Sequence, residues 1–544
     1  MRFIDNKTRD FDAICRQFHW NIPTHYNIGY EVCDKHVSRA DDTALYYENA
    51  DGMERRFTFG EIRTLSNRCA NAIKGLGVGP GDRVAIVLPQ RVETALAHLA
   101  VYKLGAVALP LSILFGPDAI EYRLKDSGAK VALAGGQHIE MLHELQSDLP
   151  QLETIVDCDV ESDKYAFWSL LQRASESMDR VSTRADDPAL LIYTSGTTGP
   201  PKGALVGHRS LPGNLTGFEL SHNFFPQQRD LFWTPADWAW TGGLLDGLLP
   251  AWFYGKAIVA YEGGKFDGER AFHLIEKYRI RNAFIPPTAL KMMRQVPNVH
   301  NRHDLQMRTI MSAGESVGEE LIHWGREVLG VSINEMWGQT EFNYLVGNCS
   351  DIMEVKPGSI GKPYPGHYVE PIDKAGNVRA DGQIGELAAR SGDPVMFLGY
   401  WNNEKATQDK LIGDWFCTGD IGYRDGQGYL WFVGRKDDVI SSAGYRIGPG
   451  EIEDSLLKHP AVVQAAVIGV PDELRGSIVK AFIVLSKEHR PSEALKQEIQ
   501  NLVRQRLAAY EYPRQIEFID ELPMTTTGKV RRVELRQREI SDSA

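Results

Sequence analysis

Unbroken apolar runs alternate with helix-period segments through the first half of the chain, and this alternation limits the fold more tightly than any other feature. The pattern predicts a helix over 58–76, a glycine turn over 77–81, a strand over 83–88, a helix over 92–104 and a short strand over 106–109. Further apolar runs recur at 130–133, 190–193, 257–261 and 282–285. Strands alternating with helices imply βαβ units and parallel sheet. Runs that are apolar throughout imply strands covered on both faces.

Two later regions read differently. From 358 to 433 the glycine-spaced sequence predicts short antiparallel strands, a small β-rich subdomain. Beyond 434–438 a helix at 451–458, strands at 462–470 and 480–485 and a helix at 492–507 make the content of a small α+β domain of about a hundred residues. A length of 544 residues divided by ~150 per domain gives roughly three or four units. The expectation is an α/β chain, with a large multi-subdomain N-terminal part at 1–436 and a mobile C-terminal domain at 437–544.

The balance of 43% hydrophobic and 24% charged residues is that of a globular protein and excludes general disorder. A formal charge of -12 argues against a nucleic-acid partner, which requires a positive field. The six cysteines show no CxxC spacing, so a reduced, cytoplasmic setting is expected. Charged residues interrupt the first twenty positions, unlike a signal peptide, and no apolar run reaches the ~18 residues of a membrane span.

Directly after the apolar run at 190–193 come Thr194, Ser195, Gly196, Thr197, Thr198, Gly199, Pro200, Pro201 and Lys202. Glycines, hydroxyls and a lysine in one short loop supply N–H donors, side-chain donors and a cation for a polyphosphate. The loop is not a Walker A sequence, because Lys202 precedes Gly203 and the GxxxxGK[ST] spacing is absent. The run from Gly75 to Gly81 precedes a strand, so it reads as a helix-to-strand turn rather than a dinucleotide loop. The fifteen histidines, His208 among them, show no metal-ligand spacing.

The 194–202 loop resembles the signature loop of the adenylate-forming superfamily, and later segments match in the same order. Gly314, Glu315 and Ser316 resemble its adenine loop, Trp337, Gly338, Gln339, Thr340 and Glu341 its phosphate and magnesium motif, with Glu335 and Met336 just before it also expected at the nucleotide, and Thr418-Gly419-Asp420 its ribose motif. The resemblance, nearest to the medium-chain acyl-CoA synthetase branch, implies an enzyme joining a carboxylic acid to coenzyme A with ATP, through an acyl-adenylate. It casts Lys529, Glu341 and Thr340 as catalytic, with Glu341 holding Mg2+, a hard cation suited to a carboxylate and phosphate oxygens.

By the same resemblance Asp420, Arg435 and Arg446 hold the nucleotide, Ser442, Ala443, Gly444, Tyr445 and Arg475 coenzyme A, and Asp437 forms a hinge. Trp238, Trp240, Gly242 and Gly243 line the acyl slot, whose depth ring position would set. Trp233 reads as core. Trp238 departs from the branch's usual single tryptophan, so a medium-chain, branched or aromatic acid is expected and its identity stays open, as does self-association. An acyl-AMP ligase loading a carrier protein, a luciferase-like oxygenase and an inactive nucleotide-binding protein are the alternatives. The last would lack Lys529, Glu341 or Asp420, and all three are present.

Overall fold

The helix expected over 58–76 forms over Phe59–Gly75, closed at its start by a capping box between Thr58 and Glu61. Reciprocal hydrogen bonds there satisfy two otherwise orphaned N–H groups. Gly77 and Gly81, both with positive φ, turn the chain into the strand Arg83–Val87, a helix-to-strand turn as read from the sequence. The computed structural model describes residues 2–194, 200–442, 445–472, 476–507, 511–525 and 528–543. The side chains at 441, 445, 446, 451, 476 and 540–543 lie outside that description.

Two large sheets carry the N-terminal part. In the seven-stranded sheet Thr154–Asp157, Val131–Ala134, Arg83–Val87, Val107–Pro110 and Pro188–Thr194 run parallel in that spatial order. Lys202–Gly207 and then Gly399–Tyr400 add antiparallel strands at one edge. The Arg83, Val107 and Val131 strands are almost wholly buried, as unalternating apolar runs require.

The second sheet has 14 strands. Its parallel part runs from Thr43–Asn49 through Ile258–Glu262, Phe232–Trp233, Asn282–Phe284 and Thr309–Ala313 to Ile333–Gln339. Phe342–Gly347 and Ser359–Pro363 then continue it antiparallel into Leu430–Arg435, Trp415–Arg424, Gly385–Arg390 and Val369–Ile372. The antiparallel strands expected in 358–433 therefore extend the parallel sheet edge to edge, through hydrogen bonds that a pattern of apolar residues does not encode.

Past Arg435 the side chains belong to other cores. A three-stranded sheet of Val462–Asp472, Gly476–Leu485 and Gln515–Phe518 packs with the helices Pro449–Leu457 and Glu493–Arg506 around Ile452, Leu456, Val467, Ile483, Ile499 and Val503. The terminal helix Arg532–Ser543 covers another cluster through Leu535. Lys458 on this smaller unit pairs with Glu319 of the larger one at 2.8 Å. Among the described residues no helix is long and apolar enough to cross a membrane, and all six cysteines are free thiols.

Candidate active site

The strands Ile333–Gln339 and Phe342–Gly347 pair antiparallel, with Gln339 opposite Phe342, so Thr340 and Glu341 form the two-residue turn between them. Both are half-buried at the tip. Gly338 beneath them has a packing reason: a side-chain carbon there would stand 3.0 Å from the Tyr344 nitrogen. The Glu341 Oε1 atom accepts a hydrogen bond from the Tyr400 hydroxyl at 2.5 Å.

Asp420 lies opposite Arg435 across neighbouring strands. Its buried carboxylate accepts from Arg435 Nη1 at 2.7 Å on one oxygen, and from Trp337 Nε1 at 3.0 Å and Gln339 Nε2 at 2.9 Å on the other. Burial pushes the Asp420 carboxyl above the usual range, against the pull of Arg435, Gln339 and Trp337. Gly419 has φ +79 and donates its N–H to Glu386, a left-handed turn that favours glycine. Thus Trp337 and Gln339, expected at the phosphates, direct their side chains to the carboxylate expected at the ribose.

The 194–202 loop joins two antiparallel strands, with Thr194 opposite Lys202. The strand Lys202–Gly207, not a helix, follows it. Ser195, Gly196, Thr197, Thr198 and Gly199 lie outside the described residues. The Lys202 ammonium stands 5.4 Å from the Tyr400 ring centre.

Gly314 at φ +98 turns the chain at the end of Thr309–Ala313. A side-chain carbon on it would lie 3.7 Å from Lys529 Cε, so the exposed Lys529 reaches across from the smaller unit to this turn. Glu315 accepts from Thr288 Oγ1 at 3.3 Å, and Ser316 is exposed. Met336 is buried. Glu335 is buried with Oε2 unpartnered, and burial pushes its carboxyl up to about 8.

Around the position expected to be a hinge, Lys436 donates its N–H to Gly419 at 2.7 Å and its ammonium to Glu386 at 2.8 Å. Asp438 instead pairs with Arg536 at 2.8 Å and Arg532 at 3.6 Å on the terminal helix. Asp437 lies between these two anchors, 3.8 Å from Arg435 Nε. Ser442 is buried on the strand Ile440–Ser442, which pairs antiparallel with Tyr445–Ile447. Ala443, Gly444 and Arg475, and the side chains of Tyr445 and Arg446, lie outside the described residues.

Of the tryptophans, Trp233 and Trp238 are core: both are buried, in separate clusters. Trp240 is partly buried against the same cluster as Trp238 and meets Phe115 edge-on at 5.8 Å between ring centres. Gly242 lies against Phe284, with 2.6 Å from a built side-chain carbon to Phe284 Cε1. Gly243 packs on the Asp237 and Ala236 carbonyls, which leaves no room for a side chain. His208 is buried, with Nδ1 accepting from the Ile28 N–H at 3.2 Å. Sequence reasoning missed Tyr400 and Glu386; Gly399-Tyr400-Trp401 carries no spacing that marks chemistry.

The AMP-binding enzyme family model matches residues 34–401, and the model of the AMP-binding enzyme C-terminal domain matches 451–529. The chain belongs to the AMP-binding enzyme family. Within this family it is similar to the acetyl-coenzyme A synthetase of Bacillus subtilis, 36% identical across 99% of this chain and 96% of the relative. It is similar also to the human mitochondrial acyl-coenzyme A synthetase ACSM4, 35% identical across 97% and 93%. The crystal structure of the anthranilate CoA ligase AuaEII with anthranoyl-AMP superposes with a TM-score of 0.87 at 31% identity, covering 96% of this chain and 99% of that one. This AMP-binding enzyme is thus an acyl-CoA synthetase, an AMP-forming ligase using ATP and coenzyme A.

The buried Glu335 generates a pH prediction. Its carboxyl binds a proton more tightly folded, near 8, than unfolded, near 4.5. The folded state then holds more protons between those values, and stability falls as pH rises through that window. Glu335→Gln should flatten the slope of unfolding free energy against pH from about 4.5 to 8. Denaturant titrations at several pH values measure it, and an unchanged slope contradicts the assignment.

Proposed function

We propose that the enzyme activates a medium-chain, branched or aromatic carboxylic acid, rather than acetate, as its acyl-adenylate and passes the acyl group to the thiol of coenzyme A. The observation that carries the acid class is the partly buried Trp240 ring edge-on to Phe115, with the Phe284 ring filling the space that a side chain at Gly242 would take. Apolar rings beside a glycine suit a flat or extended apolar group. Similarity to an anthranilate and a benzoate CoA ligase supports an aromatic acid. Overall identity does not choose, being nearly equal for the acetyl- and acyl-coenzyme A synthetases.

In the first half-reaction the substrate carboxylate attacks the α-phosphorus and pyrophosphate leaves. Asp420 accepts from the ribose hydroxyls, held for that by Arg435, Gln339 and Trp337. Thr340 donates to the α-phosphate, and the 194–202 loop with Lys202 cradles the outer phosphates. Glu341, a lone half-buried carboxylate, fits Mg2+ shared with phosphate oxygens better than an all-protein cage; the described residues form no group of three metal-ligating side chains. When bound, Mg2+ supplies neutralisation of phosphate charge. Lys529 places an ammonium where charge develops.

In the second half-reaction the coenzyme A thiolate attacks the acyl carbonyl and AMP leaves. Gly444 and its neighbours on the smaller unit serve this step, with residues 437–544 rotating about Asp437. The anchoring of Lys436 on the larger unit and Asp438 on the terminal helix supports a hinge between them.

Pyrophosphate release across straight, branched and aromatic acids, with and without coenzyme A, tests acid and acceptor together. The reading predicts turnover on medium or aromatic acids, thioester only with coenzyme A, and a preference displaced to bulkier acids in Trp240→Gly. Acetate as best substrate would overturn it. Trp238→Gly serves as contrast: it should lose about 3–5 kcal/mol of stability as a core deletion without a new acid preference.

The half-reactions separate in two further variants. Lys529→Ala should lose on the order of 10² to 10³-fold in adenylation, as deleted transition-state donors do, yet convert supplied acyl-AMP and coenzyme A at close to the normal rate. Gly444→Leu should form acyl-AMP normally and fail at thioester formation. Equal slowing of both steps by each variant would refute the rotation.

A further inference from the structure

Tyr400 ends the two-residue strand Gly399–Tyr400, which pairs with the strand leaving the 194–202 loop, Tyr400 opposite Ala204. Trp401 extends the pairing by donating its N–H to the Gly203 carbonyl at 2.7 Å. The Tyr400 backbone is thereby fixed to the base of the loop, and Thr407 Oγ1 accepts its N–H at 2.9 Å. The ring is buried, edge-on to Phe397 at 4.9 Å between centres. Phe397 in turn donates its N–H to the Glu341 carbonyl at 2.8 Å.

From this fixed position the side chain touches two groups on different segments. Its hydroxyl donates to Glu341 Oε1 at 2.5 Å, and among the described residues Glu341 Oε2 accepts no hydrogen bond. Its ring faces the Lys202 ammonium at 5.4 Å, within the range where a cation is drawn to an aromatic face. A glutamate side chain has three rotatable bonds, and among the described residues the Tyr400 hydroxyl is the group that hydrogen-bonds this one. The hydroxyl selects one arrangement and leaves the second oxygen open.

We propose that Tyr400 is a positioning residue that sets the Glu341 carboxylate and the Lys202 ammonium in one register, so that a bound divalent cation and the loop cation meet the same triphosphate. The inference rests on the reading of Glu341 as the magnesium carboxylate. Hydrogen bonds that orient a metal-binding carboxylate typically change metal affinity 10–100-fold when removed. Tyr400→Phe removes the hydroxyl alone and keeps the ring, its packing and its face toward Lys202.

The test is equilibrium titration of ATP into the full-length enzyme with Mg2+ in excess and, separately, with EDTA, joined to Mn2+ binding followed by electron paramagnetic resonance in the presence of ATP. Tyr400→Phe should weaken Mg2+-dependent ATP binding and Mn2+ binding by about 10 to 100-fold. ATP affinity in EDTA and the conversion of supplied acyl-AMP with coenzyme A should stay at wild-type values. An unchanged Mg2+-dependent affinity overturns the inference, and so does an equal loss with and without the cation, which would mean that Tyr400 only props the loop. Glu341→Gln is measured in parallel. If it keeps full Mg2+ dependence, the magnesium reading itself fails; if it loses that dependence while Tyr400→Phe does not, only the role of Tyr400 falls.

Discussion

The buried carboxylate of Asp420 is the group on which the rest of the site depends. Three donors from two separate stretches of chain converge on it: Trp337 and Gln339 on one oxygen, and Arg435 on the other. Taking a carboxylate out of water is costly unless it is paired and hydrogen-bonded. Trp337, Gln339 and Arg435 offset that cost, and in doing so fix where the strands Ile333–Gln339, Trp415–Arg424 and Leu430–Arg435 stand relative to one another. The Thr340–Glu341 turn is carried on the first of these strands and residues 436–438 follow the last, so one carboxylate fixes the Thr340–Glu341 turn, the Gly419 turn and the 436–438 segment relative to one another.

That dependence explains which parts of the fold were legible in the sequence. Continuous apolar runs at 83–88, 130–133 and 190–193 reported strands covered on both faces because burial acts on each strand locally. The helix at 58–76 was legible for a similar reason, its capping box being a contact within four residues. The joining of the antiparallel strands to the edge of the parallel sheet was not legible, because it rests on backbone hydrogen bonds from Phe342–Gly347 to Ser359–Pro363, and the backbone is the same in every residue. The terminal helix Arg532–Ser543 is strongly polar and has no apolar period long enough to announce it.

The site divides along the same line. Its residues were legible as an ordered set of motifs, while their mutual contacts were not. Trp337 and Gln339 lie in the motif expected at the phosphates yet direct their side chains to Asp420. Tyr400 lies in none of the motifs read from the sequence, because only the fold brings it to Glu341 and Lys202 at once, 59 positions from the first. Trp238 and Trp240 look alike in sequence, but two residues in a turn of chain suffice to bury one ring fully in the core and leave the other partly buried against it.

Lys529 shows the third dependence. The tail that carries it is secured by its own turn, with Thr525 and Lys529 exchanging hydrogen bonds, and it meets the larger unit at the Gly314 turn. Asp438 meanwhile ties the junction to Arg532 and Arg536, only a few residues beyond. Asp438 and the terminal helix are thereby joined on the side of the smaller unit that carries the lysine, while Lys436 is held on the larger unit by Glu386. Direct titration of ATP into Asp420→Ala tests the central claim, that this buried carboxylate organises nucleotide binding. The account predicts affinity weaker by about 1–3 kcal/mol, the cost of leaving hydrogen-bonded partners unmade, and unchanged affinity in a folded variant would contradict it.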